Sequence, residues 1–483
     1  MKLFPEALFP AACAGFLCAA LSVAGAQISN FQHIIVVIQE NRTPDNLFQG
    51  LCVPPYGKST SCSTTPTGSQ YDIQTSNWKD KTSTTGVTKP GPVKLANGYD
   101  LGHKHSSFTD LCDVNAAGVC LMDGAALNNC VGACPTKPPF KFVDNTTGIV
   151  NPYLDIATQY GWANYMFQTN QGPSFPAHQF LFGGTSAPSA SDDAIGTFAA
   201  ENVAPDIKGT VAGCIALQTT TVSVITTAGE TTKIYPCFEH ETLSDLLDSA
   251  GISWKYYTGG TGSIWTAPNA INHICQPSQP YGGSCTGPDW VKNVVPNNPK
   301  QVLSDISKCS LPAVSWVIPS QANSDHPQYN TGGGPSWVAS IVNQIGNNKK
   351  CANGELYWDN TAILITWDDW GGWYDHEPPT FLAPPQGDYQ YGFRVPLLVV
   401  SAYTSAAYVD NTRYDFGSVL RFIEQNFGIA EGALNFADAR STTNLTAFFS
   451  LTQPPRVFTT IPSPLDANYF INDPTPFGDP DDY

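Results

Sequence analysis

Basic residues are scarce in this chain of 483 residues, in which 23 Lys and Arg face 40 Asp and Glu, for a formal net charge of −17 at pH 7. Nucleic acids and anionic membranes bind basic surfaces, so this deficit argues against nucleic acid as a partner and against simple adsorption to an anionic membrane. A phosphorylated substrate stays possible, because a bound cation inverts the field around it.

Long apolar segments are missing beyond the amino terminus. Lys2 precedes an apolar stretch of small residues over 7–24, and Ala24-Gly-Ala26 follows, which is the pattern of a secretory signal peptide with its cleavage site. A membrane anchor is the competing interpretation, which Pro10 and the alanine-rich composition disfavour. No later segment approaches the length of a membrane span. We expect a signal peptide at 1–26 and a protein that is secreted, extracellular or periplasmic, with no stable membrane span.

Paired C-x-x-C motifs are also absent, which disfavours zinc binding by thiolates. Of the 14 cysteines, Cys13 and Cys18 lie in the predicted signal peptide, and the others are even in number. In an oxidising compartment such cysteines form disulfides, although spacing leaves their connectivity open. Several are near neighbours in loop-like sequence: Cys52 and Cys62, Cys112 and Cys120, Cys130 and Cys134, and Cys275 and Cys285.

An acidic cluster directly follows an apolar run near the carboxyl-terminal third of the chain. Residues 362–367 are continuously apolar or β-branched, which is typical of a strand buried on both faces. Asp368-Asp369 would then lie at the carboxyl edge of a sheet, where open α/β folds place their ligands. An ordinary turn is the alternative, because Asp and Gly are loop residues. The concentration of acids with His376 and several aromatic rings favours a functional site, since cations bind clustered oxygens and transition metals also take imidazole.

The same pattern occurs near the amino terminus. Residues 34–38 predict another buried strand, and Glu40-Asn41 comes at its end. Thr43 and Pro44 are typical of a helix cap and a first helical position. A helix amino terminus beside a strand end suits an anion. The duplicated pattern weakens the alternative that either segment is merely a polar loop.

Helix and strand patterns alternate through the middle of the chain. A helical pattern at 241–250 precedes a strand pattern at 252–257, and 312–319 predict one more buried strand. Such alternation predicts a mostly parallel sheet covered by helices. Residues 53–94 are rich in Thr, Ser, Pro and Gly and predict a surface excursion, and 219–235 predict a peripheral β-hairpin.

The segment Glu40-Asn-Arg-Thr-Pro-Asp45, followed by Phe48-Gln-Gly50, resembles the opening motif of the bacterial and plant phosphoesterase family. That family contains non-specific phospholipases C and a group of acid phosphatases, and the resemblance extends in order from about 34 to 428. It implies a three-layer α/β/α sandwich with a mostly parallel central sheet, alkaline-phosphatase-like, here with disulfide-rich loop insertions. We expect the catalytic domain at 27–451 and a tail rich in Pro and Asp at 452–483, packed on the surface.

The segment Gly172-Pro-Ser-Phe-Pro176 resembles the family motif that carries the nucleophile, which implies this role for Ser174. Chemistry alone does not single out this serine, because no base is visible beside it. The family continues with Asn-Arg, whereas this chain has Ala177-His178-Gln179. The arginine contact is therefore absent, and His178 either substitutes for it or only packs.

Three histidines match positions that contact the phosphoryl group in the family. His103 closes an Asp-x-Gly-His element, with His105 as an alternative for its role, and His326 follows Asp325 in an Asp-His-Pro element. His376 follows the acidic pair. A structural role is the alternative for each, and a capping loop explains Asp325 equally well.

The resemblance implies a metal-dependent phosphoesterase that acts on a phosphate ester, either a phospholipid or a phosphomonoester, through a phosphoserine. One divalent cation would be held by Glu40, Asn41, Asp368 and Asp369, an oxygen-rich set that suits Ca²⁺, Mg²⁺ or Mn²⁺ better than Zn²⁺. The catalytic residues would be Ser174, His103, His326 and His376. The substrate-binding residues would be Asn41, His103, His326 and His376.

Two other functions are compatible with parts of this pattern. A glycosidase needs only two carboxyl groups and no metal, and a disulfide-stapled module could hold a structural Ca²⁺ at Asp368-Asp369 without catalysis. A phospholipase would present an apolar approach to its site. Four aromatic residues could form this approach or belong to the core, namely Trp367, Trp370, Trp373 and Tyr374.

Overall fold

The computed structural model describes residues 29–205, 209–226, 229–380 and 391–477, without the side chain of Thr231. The predicted signal peptide at 1–26 and the last residues of the predicted tail, 478–483, lie outside this range. Within it, no helix combines the length and the apolar character that crossing a membrane requires.

The strands of the described residues are, in chain order, β1 (His33–Gln39), β2 (Cys62–Ser63), β3 (Tyr71–Asp72), β4 (Trp78–Lys79), β5 (Val87–Thr88), β6 (Gly91–Val93), β7 (Tyr99–Leu101), β8 (Cys130–Gly132), β9 (Lys141–Val143), β10 (Gly161–Phe167), β11 (Phe198–Ala204), β12 (Thr221–Thr226), β13 (Gly229–Ile234), β14 (Trp254–Tyr257), β15 (Val294–Val295), β16 (Val314–Val317), β17 (Thr361–Trp367), β18 (Leu397–Ser401) and β19 (Tyr408–Asp415).

The helices are α1 (Pro44–Leu47), α2 (His105–Cys112), α3 (Asn151–Gln159), α4 (Ser174–Gly183), α5 (Ala190–Ala194), α6 (Leu243–Ser249), α7 (Asn272–Cys275), α8 (Pro288–Asn293), α9 (Gln301–Ser307), α10 (Gly334–Gly346), α11 (Phe416–Asn426), α12 (Ala437–Arg440) and α13 (Ala467–Asn472).

An eight-stranded sheet forms the centre of the molecule, in the order β15-β14-β16-β1-β17-β18-β10-β19. The strands from β15 to β17 are parallel, as are β10 and β19, while β18 is antiparallel to both of its neighbours. Because β17 and β10 are both antiparallel to β18, β10 and β19 run in the same direction as β1 and β17. Every strand of this sheet except β18 therefore ends at the same edge, where the predicted site residues follow β1, β10, β16 and β17.

Helices cover both faces of this sheet. Trp316 of β16 and Leu364 of β17 pair with the same residue of β1, so their side chains point to one face, and the Trp316 indole donates to Leu181 of α4. Trp367 comes three residues after Leu364 and points to the opposite face, where its ring packs against Tyr153 of α3. The predicted α/β/α sandwich with a mostly parallel sheet is confirmed.

Disulfides staple the connections around the sheet. The near neighbours singled out in the sequence are all bonded: Cys52–Cys62, Cys112–Cys120, Cys130–Cys134 and Cys275–Cys285. The described residues also contain Cys214–Cys237 and Cys309–Cys351. The predicted disulfide-rich loop insertions are therefore confirmed, with the connectivity that spacing left open.

The surface elaborations are more structured than their sequences indicate. The predicted hairpin is present as β12 and β13, and β11 joins it as a third antiparallel strand that packs on α4. The excursion at 53–94 contains short strands, and it buries Asp72 and Trp78. In the tail, Phe470 packs edge-on against Trp337 of α10.

Candidate active site

Two pairs of polar residues, three of them acidic, meet at the carboxyl edge of the sheet. The register of β1 and β17 ends at Gln39 beside Trp367, so Glu40-Asn41 and Asp368-Asp369 leave the sheet side by side. The Asn41 amide nitrogen donates to Asp368 Oδ1 at 3.0 Å, and the side chains of all four residues are buried. Residues far apart in sequence thus form one cluster of oxygen atoms.

The double glycine after the acids makes this approach possible. Gly371 and Gly372 have φ of +61° and +72°, in the left-handed region that glycine adopts without strain. A Cβ at Gly371 would lie 2.4 Å from the Asn41 carbonyl oxygen, and one at Gly372 would lie 2.5 Å from Leu101. Asn41 is itself left-handed, with φ of +62°. The two loops therefore interlock backbone to backbone.

Ser174 faces this cluster from a third strand end. It is the first residue of α4, reached by a short loop after β10, and its hydroxyl donates to Asp369 Oδ2 at 3.3 Å. The amino terminus of a helix carries partial positive charge, which favours a negatively charged group at this position. The serine is fully buried. The predicted nucleophile thus lies directly against the predicted metal ligands.

His103 and His326 lie beside one another, with ring centroids 6.1 Å apart. The Nδ1 atoms of both rings are 2.8 Å from backbone carbonyl oxygens, of Leu101 and Pro327 respectively, and a carbonyl can only accept. Both Nδ1 atoms therefore carry a proton, and in the neutral rings Nε2 is the acceptor. Asn41 Nδ2 lies 3.4 Å from His103 Nε2, which links this ring to the acidic cluster.

Asp325 does not orient the histidine that follows it. Tyr153 and Trp367 donate to its Oδ2 at 2.8 and 3.0 Å, and the Arg42 guanidinium donates to its backbone carbonyl. Burial raises the pKa of Asp325 to about 6. The carboxyl group therefore anchors the loop to the sheet face that α3 covers.

His178 lies at the acidic cluster, which the sequence left undecided between a substitute for the family arginine and mere packing. Its Nε2 is 3.1 Å from Glu40 Oε1 and 3.9 Å from Asp368 Oδ2, and all three side chains are fully buried. These three residues offer one ligand atom each within 4.8 Å of one another. Where the family motif carries an arginine, this chain therefore places an imidazole beside carboxylates that could hold a metal ion.

The cluster fits a divalent cation. Glu40, Asp368 and Asp369 bury three carboxylates in one place, and among the described residues no hydrogen-bond donor reaches Asp368 Oδ2 or Asn41 Oδ1. Buried carboxylate oxygens are costly unless a donor or a cation compensates them. Carboxylate and amide oxygens are also the ligands that hard divalent cations prefer. The residues present can therefore hold a metal ion.

His376 belongs to a different cluster, contrary to expectation. Its Nδ1 lies 2.8 Å from Asp45 and its Nε2 lies 3.1 Å from Asp72, so both ring nitrogens face carboxylates. Arg394 completes the cluster by bonding Asp72 and Asp375. Burial disfavours the imidazolium, but the Asp45 carboxylate outweighs it and raises the pKa of His376 to about 10. The predicted role of His376 as a phosphate contact and proton donor does not fit these contacts.

His105, the alternative to His103, faces the three-stranded sheet instead. Its Nδ1 lies 3.7 Å from Glu230 of β13, and its backbone nitrogen donates to Glu201 of β11. Burial lowers the pKa of His105 and raises that of Glu201 to about 8. These contacts place His105 away from the acidic cluster, to which Asn41 links His103.

The aromatic residues beside the acids belong to the core. Trp367, Trp370, Trp373 and Tyr374 are all fully buried, and Tyr374 stacks on Trp78 with ring centroids 4.6 Å apart. These rings therefore hold the loop in place and do not form an apolar approach to the site.

The cluster around Arg394 was missed in the sequence. Its members come from four separate segments, and Asp45 and Asp72 look like ordinary helix and loop residues. The one available signal was Arg394 itself, a charged residue immediately before the buried run of β18. An arginine in such a position requires buried acceptors.

Three phospholipases C are similar in sequence to parts of this chain. The chain is similar to phospholipase C A of Mycobacterium tuberculosis, with 26% identity over 242 residues that cover 45% of each chain. It is 28% identical over 229 residues to the non-hemolytic phospholipase C of Burkholderia pseudomallei, which covers 38% of this chain and 32% of the relative. A match of 24% identity to non-specific phospholipase C6 of Arabidopsis thaliana covers 31% and 33%. The chain thus spans less than half the length of these relatives.

Solved structures overlap only weakly with this chain. A protein in the alkaline phosphatase superfamily from Vibrio parahaemolyticus is 12% identical and covers 61% of this chain and 64% of that chain, with a TM-score of 0.33. At this TM-score the overlap does not establish a shared fold, and the fold is assigned from the observed sheet. The sequence, in contrast, matches the phosphoesterase family over residues 31–430. The protein therefore belongs to the phosphoesterase family.

Proposed function

We propose that this protein is a secreted, metal-dependent hydrolase of phosphate esters that works through a phosphoserine on Ser174. The main observation in its support is that the Ser174 hydroxyl lies 3.3 Å from Asp369 Oδ2. At this place Glu40-Asn41 after β1 and Asp368-Asp369 after β17 come together. Family membership supports phosphate-ester chemistry, and the disulfides support an oxidising compartment.

The metal ligands in this proposal are Glu40, Asn41, Asp368 and Asp369. A bound divalent cation supplies charge neutralisation for the phosphoryl oxygens and favours the ionised serine hydroxyl. Asp369 orients Ser174 Oγ by accepting its hydrogen bond, and the amino terminus of α4 favours negative charge at the same atom. Burial of Ser174 keeps bulk water away from the nucleophile.

His103 and His326 act on the substrate through Nε2. Ser174 Oγ forms a bond to phosphorus as its proton passes to Asp369 Oδ2 and the ester P–O bond breaks, and the leaving oxygen takes a proton from one of these Nε2 atoms. Water then attacks the phosphorus and returns a proton to the histidine, while the Oγ–P bond breaks and Ser174 Oγ takes back its proton from Asp369. Because Nδ1 of each ring already donates to a carbonyl, Nε2 carries a proton only in the imidazolium.

Ser174→Ala tests the nucleophile. We expect turnover to fall by about 10³-fold or more, with unchanged metal content by elemental analysis, because the substitution removes the attacking atom and no predicted ligand. Brief incubation with a labelled phosphate ester followed by acid quenching should leave label on Ser174 in the wild type and none on the variant. Near-normal rates in the purified, folded variant would show that another residue attacks the phosphorus.

The relatives named above are phospholipases C, and we propose a phospholipid as the first substrate candidate. A phosphomonoester is the second candidate. A phospholipase would present an apolar approach to its site, and the buried rings do not form one, namely those of Trp367, Trp370, Trp373 and Tyr374. Product analysis on phosphatidylcholine and on an aryl phosphate monoester, each with and without a chelator, separates the two. Diacylglycerol release identifies a phospholipase C, and turnover of the monoester alone identifies a phosphatase. Activity that is insensitive to the chelator would contradict metal dependence.

A further inference from the structure

His178 occupies a position that couples the nucleophile to the acidic cluster. It comes four residues after Ser174 on α4, which spans Ser174–Gly183, so the two side chains lie on the same face of the helix. Both are fully buried. The helix that carries the nucleophile thus also directs an imidazole towards the carboxylates that follow β1 and β17.

The distances around His178 match those between ligands of one ion. Its Nε2 lies 3.1 Å from Glu40 Oε1 and 3.9 Å from Asp368 Oδ2. Ligand bonds of about 2.1 Å for Zn²⁺ to about 2.4 Å for Ca²⁺ place neighbouring ligand atoms roughly 3.0–3.9 Å apart at tetrahedral or right angles. Both separations fall within this range, and the three residues offer ligand atoms within 4.8 Å of one another.

The charge at this place also requires more than one imidazole. Three carboxylates are buried here, from Glu40, Asp368 and Asp369. The fully buried arginines of the described residues bond elsewhere: Arg42 donates to carbonyl oxygens and to Asn46, and Arg394 donates to the aspartates around His376.

We propose that His178 is a ligand of the metal ion, so that the ion is held by a mixed set of oxygen atoms and one imidazole nitrogen. This inference rests on the proposed metal centre and specifies it further. An imidazole ligand favours transition metals such as Mn²⁺, Fe²⁺ or Zn²⁺ over Mg²⁺ and Ca²⁺, which prefer oxygen alone. It thereby revises the preference for Ca²⁺ or Mg²⁺ that an oxygen-only set predicts.

The test measures metal binding directly, without catalysis. The full-length protein is stripped with a chelator and titrated calorimetrically with Zn²⁺, Mn²⁺, Mg²⁺ and Ca²⁺ in separate runs. We expect His178→Gln to bind Zn²⁺ and Mn²⁺ about tenfold more weakly or worse, with little change for Mg²⁺ and Ca²⁺. His240→Gln is the matched control, because His240 is also buried but bonds the Glu241 carbonyl, and it should bind every metal like the wild type.

Spectroscopy on the wild type keeps the test independent of how the variant folds. X-ray absorption of the Zn²⁺-loaded protein should show the scattering pattern of an imidazole ligand, which His178→Gln loses and His240→Gln retains. A wild-type spectrum with oxygen ligands alone overturns the role of His178 while leaving the metal centre intact. Persistence of the imidazole signal in folded His178→Gln also overturns it. Failure of the wild type to bind any of the four metals contradicts the proposed function itself.

Discussion

His178 and His376 are both buried against carboxylates, yet the balance of charge around them differs. In the cluster that contains His376, its imidazolium and the Arg394 guanidinium face three aspartates. Burial raises the pKa of Asp375 to about 7, which reduces the negative charge of the cluster. That cluster is close to neutral by itself. His178 Nε2 instead lies 3.1 and 3.9 Å from the carboxylates of Glu40 and Asp368, and the buried Asp369 lies in the same cluster. The carboxylates around His178 could therefore hold a cation, whereas Arg394 already balances much of the negative charge around His376.

The charge on His376 predicts a specific dependence of stability on pH. The native imidazole keeps its proton up to about pH 10, whereas the unfolded one releases it near 6.5. The contribution is complete below pH 6.5 and is lost as pH rises towards 10. We expect the free energy of unfolding to fall over this window, and His376→Gln to make the fall shallower by up to about 1.4 kcal/mol per pH unit. Urea unfolding at a series of pH values measures both slopes.

His105→Gln serves as the control for that experiment, because burial lowers the pKa of His105 and its effect lies on the acidic side. Its slope above pH 6.5 should equal that of the wild type. We also expect His376→Gln to destabilise the fold by about 3–5 kcal/mol, since it breaks a buried charge pair. A loss of kcat of about 10²–10⁴ with unchanged stability would instead indicate a catalytic histidine.

At the level of elements, the interlocked loops after β1 and β17 determine the geometry of the site. Gly371→Ala would force a Cβ to within 2.4 Å of the Asn41 carbonyl and impose a strained φ. We expect it to cost about 1–3 kcal/mol of stability from the backbone strain alone. It should also weaken metal binding, because Glu40-Asn41 and Asp368-Asp369 must move apart. Calorimetric titration with Mn²⁺ and urea unfolding measure the two effects.

Gly428→Ala separates strain from collision. Gly428 ends α11 with φ of +72°, and a Cβ there would meet no atom within 4 Å. It should therefore lower stability by a similar strain energy and leave metal affinity unchanged. Equal metal affinity in the two variants would contradict the view that close approach of the loops positions the ligands.

Local patterns predicted the elements that carry the site. The apolar runs before Glu40 and Asp368 are strands buried on both faces, and such runs are legible because they lack polar alternation. Their adjacency followed from the rule that parallel strands present their carboxyl ends at one edge. The contacts of His376 were not predictable, because its partners come from α1 and β3 and only folding brings them together.

At the scale of the molecule, disulfides should contribute in proportion to the loops they close. Cys309–Cys351 closes a separation of 42 residues and Cys130–Cys134 one of 4. From loop entropy we expect removal of the first pair by double substitution with alanine to cost about 4 kcal/mol, and removal of the second about 2 kcal/mol. Denaturant unfolding under oxidising conditions compares them. Equal losses would show that strain or local packing, not chain entropy, dominates.

Removal of metal should destabilise the whole fold, because three buried carboxylates would then repel one another. Adding Mn²⁺ at about 100 times its Kd should restore roughly 2.7 kcal/mol. In the presence of a chelator, Asp368→Asn should be more stable than the wild type, since it removes one uncompensated buried charge, and it should gain little from Mn²⁺. Thermal unfolding with and without metal measures this crossover, and a variant that is less stable under both conditions would contradict it.

Because β1 pairs with β17, the candidate active site can form only late in the synthesis of the chain. Asn41 and Asp368 are 327 residues apart, and Ser174 needs Asp369 as its partner. During synthesis Glu40-Asn41 therefore cannot contact Asp368-Asp369 until most of the chain has left the ribosome. Contacts of such long range also form slowly after release. A chain exported before it folds would carry the parts of the proposed metal site separately, and would assemble them after export.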